Sequence, residues 1–216
     1  MFRLFKNKFR ALKSWEIDVF HELLNQLGVE YKHYIAQLNF IEKVGVNRSD
    51  ILNLISFIYP TSFYKKFENY KVYNYKLENL IIKDRRSSRN IVITLYFAHD
   101  IFLGYSSDLK DSTFEFDIKN IFYGDIKKKV WGEEGFRLIK KYLTSAELKH
   151  INRSDVYISS IEGVEYFHLK ELSDGDFLGV NNNGVFFIVT HDPLEMKEIT
   201  RVIACHILQF GNEPFN

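Results

Sequence analysis

Phe177-Leu178-Gly179-Val180-Asn181-Asn182-Asn183-Gly184-Val185-Phe186-Phe187-Ile188-Val189 is the stretch whose reading decides the fold. Two apolar runs, rich in β-branched and aromatic residues, flank an Asn-Gly step that supplies the positive φ of a tight turn. The segment predicts an antiparallel β-hairpin. Working back from it, Val164-Glu165-Tyr166-Phe167-His168-Leu169 and Val156-Tyr157-Ile158 read as further strands. Working forward, Asp192, Pro193 and Glu195 have the spacing of an N-cap, a first helical proline and an acidic third position. Met196, Ile199, Ile203, Ile207 and Phe210 then mark one face of a predicted C-terminal helix, closed by Gly211.

The same alternation returns nearer the N-terminus. Ile91-Val92-Ile93-Thr94-Leu95-Tyr96-Phe97 predicts a strand, Ala98-His99-Asp100 a turn, and Ile101-Phe102-Leu103-Gly104-Tyr105 the returning strand. Val72, Tyr73, Tyr75, Leu77, Leu80 and Ile82 include alternating positions, and 84–90 is a polar loop. Phe114, Phe116 and Ile118 alternate with Glu115 and Asp117, as in a strand with one wet face. Residues 120–155 are expected to return to helix, with Phe136, Ile139 and Leu143 on an apolar face and capping-box spacing between Thr144 and Glu147.

The first 45 residues read as helical. Ser14 is a candidate N-cap for a helix to Gly28 that buries Trp15, Val19, Phe20, Leu23, Leu24 and Leu27. Tyr31, Tyr34, Ile35, Leu38 and Ile41 follow at helical spacing. Phe2, Phe5, Phe9 and Leu12 share a helical face among basic residues, a segment that fits docking on the protein body or resting on an anionic membrane. The run Ile51–Tyr59 fits either a buried strand or a short helix. Together these predict an α+β fold with N-terminal helices, a mainly antiparallel sheet, a central helical insert and a C-terminal helix. One compact unit over 1–216 is expected, although short echoes between the halves permit two similar β-modules at 60–125 and 155–210.

Composition narrows the function classes. A formal net charge of +1 lacks the basic excess of a general nucleic-acid binder. The single cysteine, Cys205, forbids an intramolecular disulfide and fits a reducing, cytoplasmic setting. The apolar runs are too short for a signal h-region or a transmembrane segment. No Gly-rich nucleotide loop, His-x-x-x-His or Cys-x-x-Cys spacing occurs, so no cofactor and no metal site are expected. His191-Asp192 is accounted for by helix capping, and His99-Asp100 by the turn. Cys205 sits among apolar helix neighbours and is expected to be inert. Charge is uneven: residues 65–89 hold eight basic against three acidic residues, and 162–176 five acidic (Glu162, Glu165, Glu171, Asp174, Asp176) against Lys170 alone.

Tyr166-Phe167-His168-Leu169, Asp174-Gly175-Asp176-Phe177-Leu178-Gly179-Val180, the Asn-Gly turn and Thr190-His191-Asp192-Pro193 together resemble the end of SUKH-type immunity proteins and related bacterial toxin-neutralising families. There an acidic turn leads into a hairpin and then a helix. The resemblance covers about a sixth of the chain and is built around a two-stranded hairpin. It implies non-enzymatic binding of a cognate protein toxin, for which the five acidic residues are the candidate contact set. The alternative is a small hydrolase or transferase whose site assembles from distant residues such as His99, His168 and His191.

Overall fold

The computed structural model describes residues 8–46, 51–110 and 114–211; within these, the side chains of Lys8, Phe122, Tyr123 and Asp174 lie outside the described set. It is a mixed α/β structure in which strand exceeds helix and the sheets are mostly antiparallel. The chain divides into two compact units, 1–129 and 130–216.

In the first unit, strands β1 (Lys8–Arg10), β2 (Lys43–Val46), β3 (Leu54–Ile58), β4 (Tyr75–Asp84), β5 (Asn90–Ala98), β6 (Ile101–Ser107) and β7 (Phe116–Val130) form a sheet in the order β1-β2-β3-β6-β5-β4-β7. Helices α1 (Ser14–Leu27), α2 (Ile35–Leu38) and α3 (Thr61–Phe67) accompany it, with a 3-10 segment at Val29–Tyr34. Helix α1 buries Val19, Phe20, Leu23 and Leu24, four of the six residues on the expected face, while Trp15 and Leu27 are partly buried against the same core. Phe20 meets Phe57 and Phe102 edge-on at 5.7 and 5.5 Å, and those two rings meet each other at 5.0 Å. Such pairs add about 0.5–1.5 kcal/mol each beyond area burial. Gly104 is required where β6 crosses β3: its φ is +139°, and a Cβ there would stand 2.1 Å from the Ile55 carbonyl oxygen.

Several expectations for this unit are corrected. The first 45 residues are not all helical. Lys8–Arg10 is a strand whose Phe9 lies opposite Gly45, so that part of the expected basic helix is extended, while Phe2 and Phe5 lie outside the described residues. Gly45 sits in β2 rather than near a helix end. The cap of α1 is Lys13, not Ser14; its backbone N–H donates to the Glu16 carboxylate at 2.7 Å. The ambiguous run 51–59 contains strand β3, because pairing with β2 and β6 on both sides uses its backbone groups. The expected helix after residue 120 is instead the continuation of β7 to Val130.

The second unit holds β8 (Ile158–Ile161), β9 (Val164–Glu171), β10 (Phe177–Asn181), β11 (Phe186–His191) and β12 (Leu194–Ile199), in the spatial order β12-β11-β10-β9-β8. The predicted β10–β11 hairpin is antiparallel, with Val180 opposite Phe186. Helices α4 (Glu134–Ile139), α5 (Ser145–Leu148) and α6 (Arg201–Phe210) complete the unit. Phe136, Ile139, Leu143, Ala204, Ile207 and Leu208 form one core with Phe167, Leu169, Leu178, Val180, Phe186 and Ile188. The alternate residues Tyr166, Phe177 and Val189 cluster separately with Phe187 and Met196, as strand alternation requires.

The predicted helix from Pro193 is corrected. Leu194–Ile199 pairs along its whole length with β11, and the helix begins only at Arg201, where the Thr200 side chain accepts from the Ile203 backbone N–H. Met196 and Ile199 fit helical spacing, but they belong to different clusters on the two faces of the sheet. Among the described residues, no helix is long and apolar enough to cross a membrane.

Candidate functional site

The acidic run is split by the fold into two poles. Strands β8 and β9 are joined by Glu162-Gly163, both at positive φ (+51° and +80°), the requirement of a two-residue turn. This puts Glu162 at the hairpin tip and Glu165 beside it, opposite Ser160. Glu171 and Asp176 lie at the far end of β9, where the Leu172 N–H donates to the Asp176 carbonyl at 2.7 Å. Glu165 and Glu171 are six residue steps apart along the strand, about 20 Å at roughly 3.3 Å per residue. The side chain of Asp174 lies outside the described residues.

The two poles differ in how their carboxylates are used. Asp176 accepts from the His191 backbone N–H and faces its Nδ1, both at 3.1 Å. Glu171 is 61% exposed yet lies 2.9 Å from Nε2 of buried His168. That imidazole is stacked on Tyr157 at 4.5 Å and tilted against Phe177 at 5.0 Å. Burial raises the pKa of the Tyr157 hydroxyl, with the charges of Glu171 and Asp155 adding to it. At the tip, Glu165 accepts from the Asn182 side chain at 2.9 Å, while Glu162 has no side-chain partner among the described residues. Lys170, the lone basic residue of the run, points elsewhere: its amine donates to the Ile207 and Leu208 carbonyls at the end of α6, and burial lowers its pKa.

Sequence reading missed a polar cluster around Glu147. Thr144 caps α5 as expected, its hydroxyl accepting from the Glu147 N–H, while its own N–H and hydroxyl donate back to the carboxylate. The same carboxylate takes two hydrogen bonds from Arg201, at 2.7 and 2.6 Å, and one from the Cys205 thiol at 3.1 Å. Arg201 chiefly, with Thr144 and Cys205 assisting against burial, holds Glu147 down at about 2. Burial, reinforced by Glu147, raises the Cys205 thiol, so the sulfur is held as a neutral donor rather than an activated nucleophile. The capping spacing was the only signal in the sequence, because Arg201 and Cys205 stand more than fifty residues away. A cavity of about 130 Å³ adjoins this cluster, lined by Ala146, Glu147, His150, Cys205, Leu208 and Gln209.

The remaining candidate histidines have separate settings. His99 and Asp100 form the β5–β6 turn, both at positive φ. Asp100 accepts from the Tyr34 hydroxyl at 2.9 Å and faces His33 Nε2 at 2.8 Å, and Tyr34 also meets the Tyr75 hydroxyl at 2.9 Å. Burial drives the Tyr34 hydroxyl far above its usual range. Gln37 donates to the Asp100 carbonyl and accepts from the Phe102 N–H, tying α2 to that hairpin. The His99 ring lies 4.7 Å from that of Tyr70. Among the described residues, no group of three or more His, Cys, Asp or Glu is placed to hold a metal ion.

Charge is partitioned between the units. Residues 1–129 carry 21 Lys and Arg against 15 Asp and Glu, a net of +6, whereas 130–216 carry 8 against 13, a net of −5. The acidic tip of the β8–β9 hairpin therefore belongs to an acidic unit. Comparison of the chain with protein-family models, with curated proteins and with solved structures finds no match in any of the three.

Proposed function

We propose that this chain is a non-enzymatic protein-binding module, of the bacterial immunity type, that neutralises a basic cognate toxin in the cytoplasm through the acidic face of its second unit. The observation that carries the reading is the contrast between carboxylates. Glu147 and Glu16 are consumed by internal arginines, whereas Glu162 and Glu165 stand exposed at the tip of a hairpin whose strands hold it in place. Loops carried on a sheet are where recognition concentrates, and segregated charge of one sign steers a partner of the other. The sequence resemblance from Tyr166 through the Asn-Gly turn supports the same reading, while past Pro193 the chain continues as strand β12 where those families have a helix.

The test neutralises the poles separately, as Glu162→Gln with Glu165→Gln, and as Glu171→Gln. Affinity for the stoichiometric partner isolated from the source cell is measured at low and moderate salt. The tip pair is expected to weaken binding by about tenfold at low salt and to flatten its salt dependence. Unchanged affinity and salt slope in a folded tip variant would remove the acidic hairpin as the contact surface.

A further inference from the structure

We propose that the outer edge of β8 receives an extended, basic strand of a partner protein, which continues the five-stranded sheet of the second unit. The inference rests on the protein-binding reading and specifies how the acidic hairpin binds.

The register identifies which backbone groups are offered. Ile161 and Val164 close the two-residue turn, and the His168 N–H donates to the Tyr157 carbonyl at 2.9 Å. In an antiparallel pair the hydrogen-bonded positions alternate, so Tyr157, Ser159 and Ile161 direct their N–H and C=O groups toward β9. Ile158 and Ser160 direct theirs outward. β8 is the last strand of its sheet, and neither residue has another backbone partner among the described residues. Ile158 is 45% exposed and the neighbouring Tyr157 52%. Two residues with outward groups can form up to four main-chain hydrogen bonds to an added strand.

Composition separates this edge from the other three. Outer strands commonly carry charge that blocks unwanted pairing. β1 carries Lys8 and Arg10; β7 carries Lys119, Lys127, Lys128 and Lys129; and β12 carries Glu195, Lys197 and Glu198. β8 reads Ile-Ser-Ser-Ile and carries none. Strand addition uses such an unguarded edge, with main-chain bonds supplying affinity and flanking side chains supplying selection.

The flanking charge selects the occupant. From Ser154 to Leu169 the chain holds Asp155, Glu162 and Glu165 and no Lys or Arg. Asp155 precedes β8 and Glu162 follows it, so a strand laid alongside meets a carboxylate at each end. A second copy of this chain is the poorer occupant. With Ile158 of one copy opposite Ser160 of the other, Glu162 of each comes within one position of Asp155 of its mate, and like charges facing across strands destabilise the pair.

The probe is a capped seven-residue peptide, Lys-Val-Thr-Val-Thr-Val-Lys, titrated into the ¹⁵N-labelled full chain, with Glu replacing both Lys in the comparison peptide. The basic peptide is expected to shift the Ile158 and Ser160 amide resonances and to slow their hydrogen exchange by about tenfold or more at saturation. The acidic peptide should bind at least about tenfold more weakly at low salt, with the gap narrowing as salt rises. Ser160→Pro removes one outward N–H while sparing every bond to β9, and should weaken the basic peptide by about tenfold with the β9 amides unmoved. Ile158→Lys, which places a guarding charge on the edge, is the second variant and should have the same effect. No binding, equal binding of both peptides, undiminished binding by the two variants, or shifts confined to other strands would overturn the proposal. So would a peptide-free dimer with these two amides already protected, which would make the second copy the occupant. Because the probe is a peptide, these outcomes stand whether or not the tip carboxylates govern affinity for the cellular partner.

Discussion

Replacing Glu147 by glutamine tests the polar cluster that joins α5 to α6. Its carboxylate is 6% exposed, takes two hydrogen bonds from Arg201, and is held at about 2 against an ordinary value of 4.5. At about 1.4 kcal/mol per pH unit, that difference is worth about 3 kcal/mol. The Arg201 side chain is 48% exposed, so water screens part of this, and about 2 kcal/mol is the expected contribution. The pKa is depressed on folding, so the contribution is complete above the unfolded value of 4.5 and disappears as pH falls through about 2. Glu147→Gln should therefore cost about 2 kcal/mol at pH 7, and the two proteins should converge near pH 2. Urea titrations read at the α6 amide cross-peaks of Ala204 to Leu208 separate this unit from the rest of the chain. Equal stability at pH 7, or a deficit that persists undiminished at pH 2, would refute the argument.

Two further outcomes follow from the same physics. Glu16 is fully buried and accepts from both terminal Arg10 nitrogens, the Tyr105 hydroxyl and the Lys13 N–H, so Glu16→Ala removes a carboxylate that pairs the Arg10 charge and accepts from a buried hydroxyl. It should cost about 3–5 kcal/mol in urea unfolding read at the α1 amides, and a loss below about 1 kcal/mol would contradict the buried-pair account. The Cys205 thiol is raised by burial and by Glu147, so a disulfide reagent at pH 8 should modify it more slowly than a free thiol. In Glu147→Gln the midpoint of the rate–pH profile should fall; an unmoved midpoint would show that the carboxylate has no part in it.

What was legible in the sequence was local. The β10–β11 hairpin follows from Asn183-Gly184, the buried face of α1 from its spacing, the α5 cap from Thr144 and Glu147, and the β5–β6 turn from His99-Asp100. Each is settled within a few residues by φ preference, side-chain period or a short-range hydrogen bond. The misread elements, β2, the length of β7 and β12, have patterns compatible with helix. They become strands because a neighbouring strand, distant in sequence or across a turn, satisfies their backbone groups. The same limit applies to the candidate sites. Sequence alone marked Glu162 to Asp176 as acidic, but only the antiparallel register puts Glu162 and Glu165 at one end of β9 and Glu171 and Asp176 at the other. Nothing local to Cys205 announces a carboxylate, and nothing in Ile-Ser-Ser-Ile announces a free edge. Composition and periodicity determine which residues seek burial or a turn; the long-range pairing of backbone groups decides which of the polar and apolar residues left over face the same solvent.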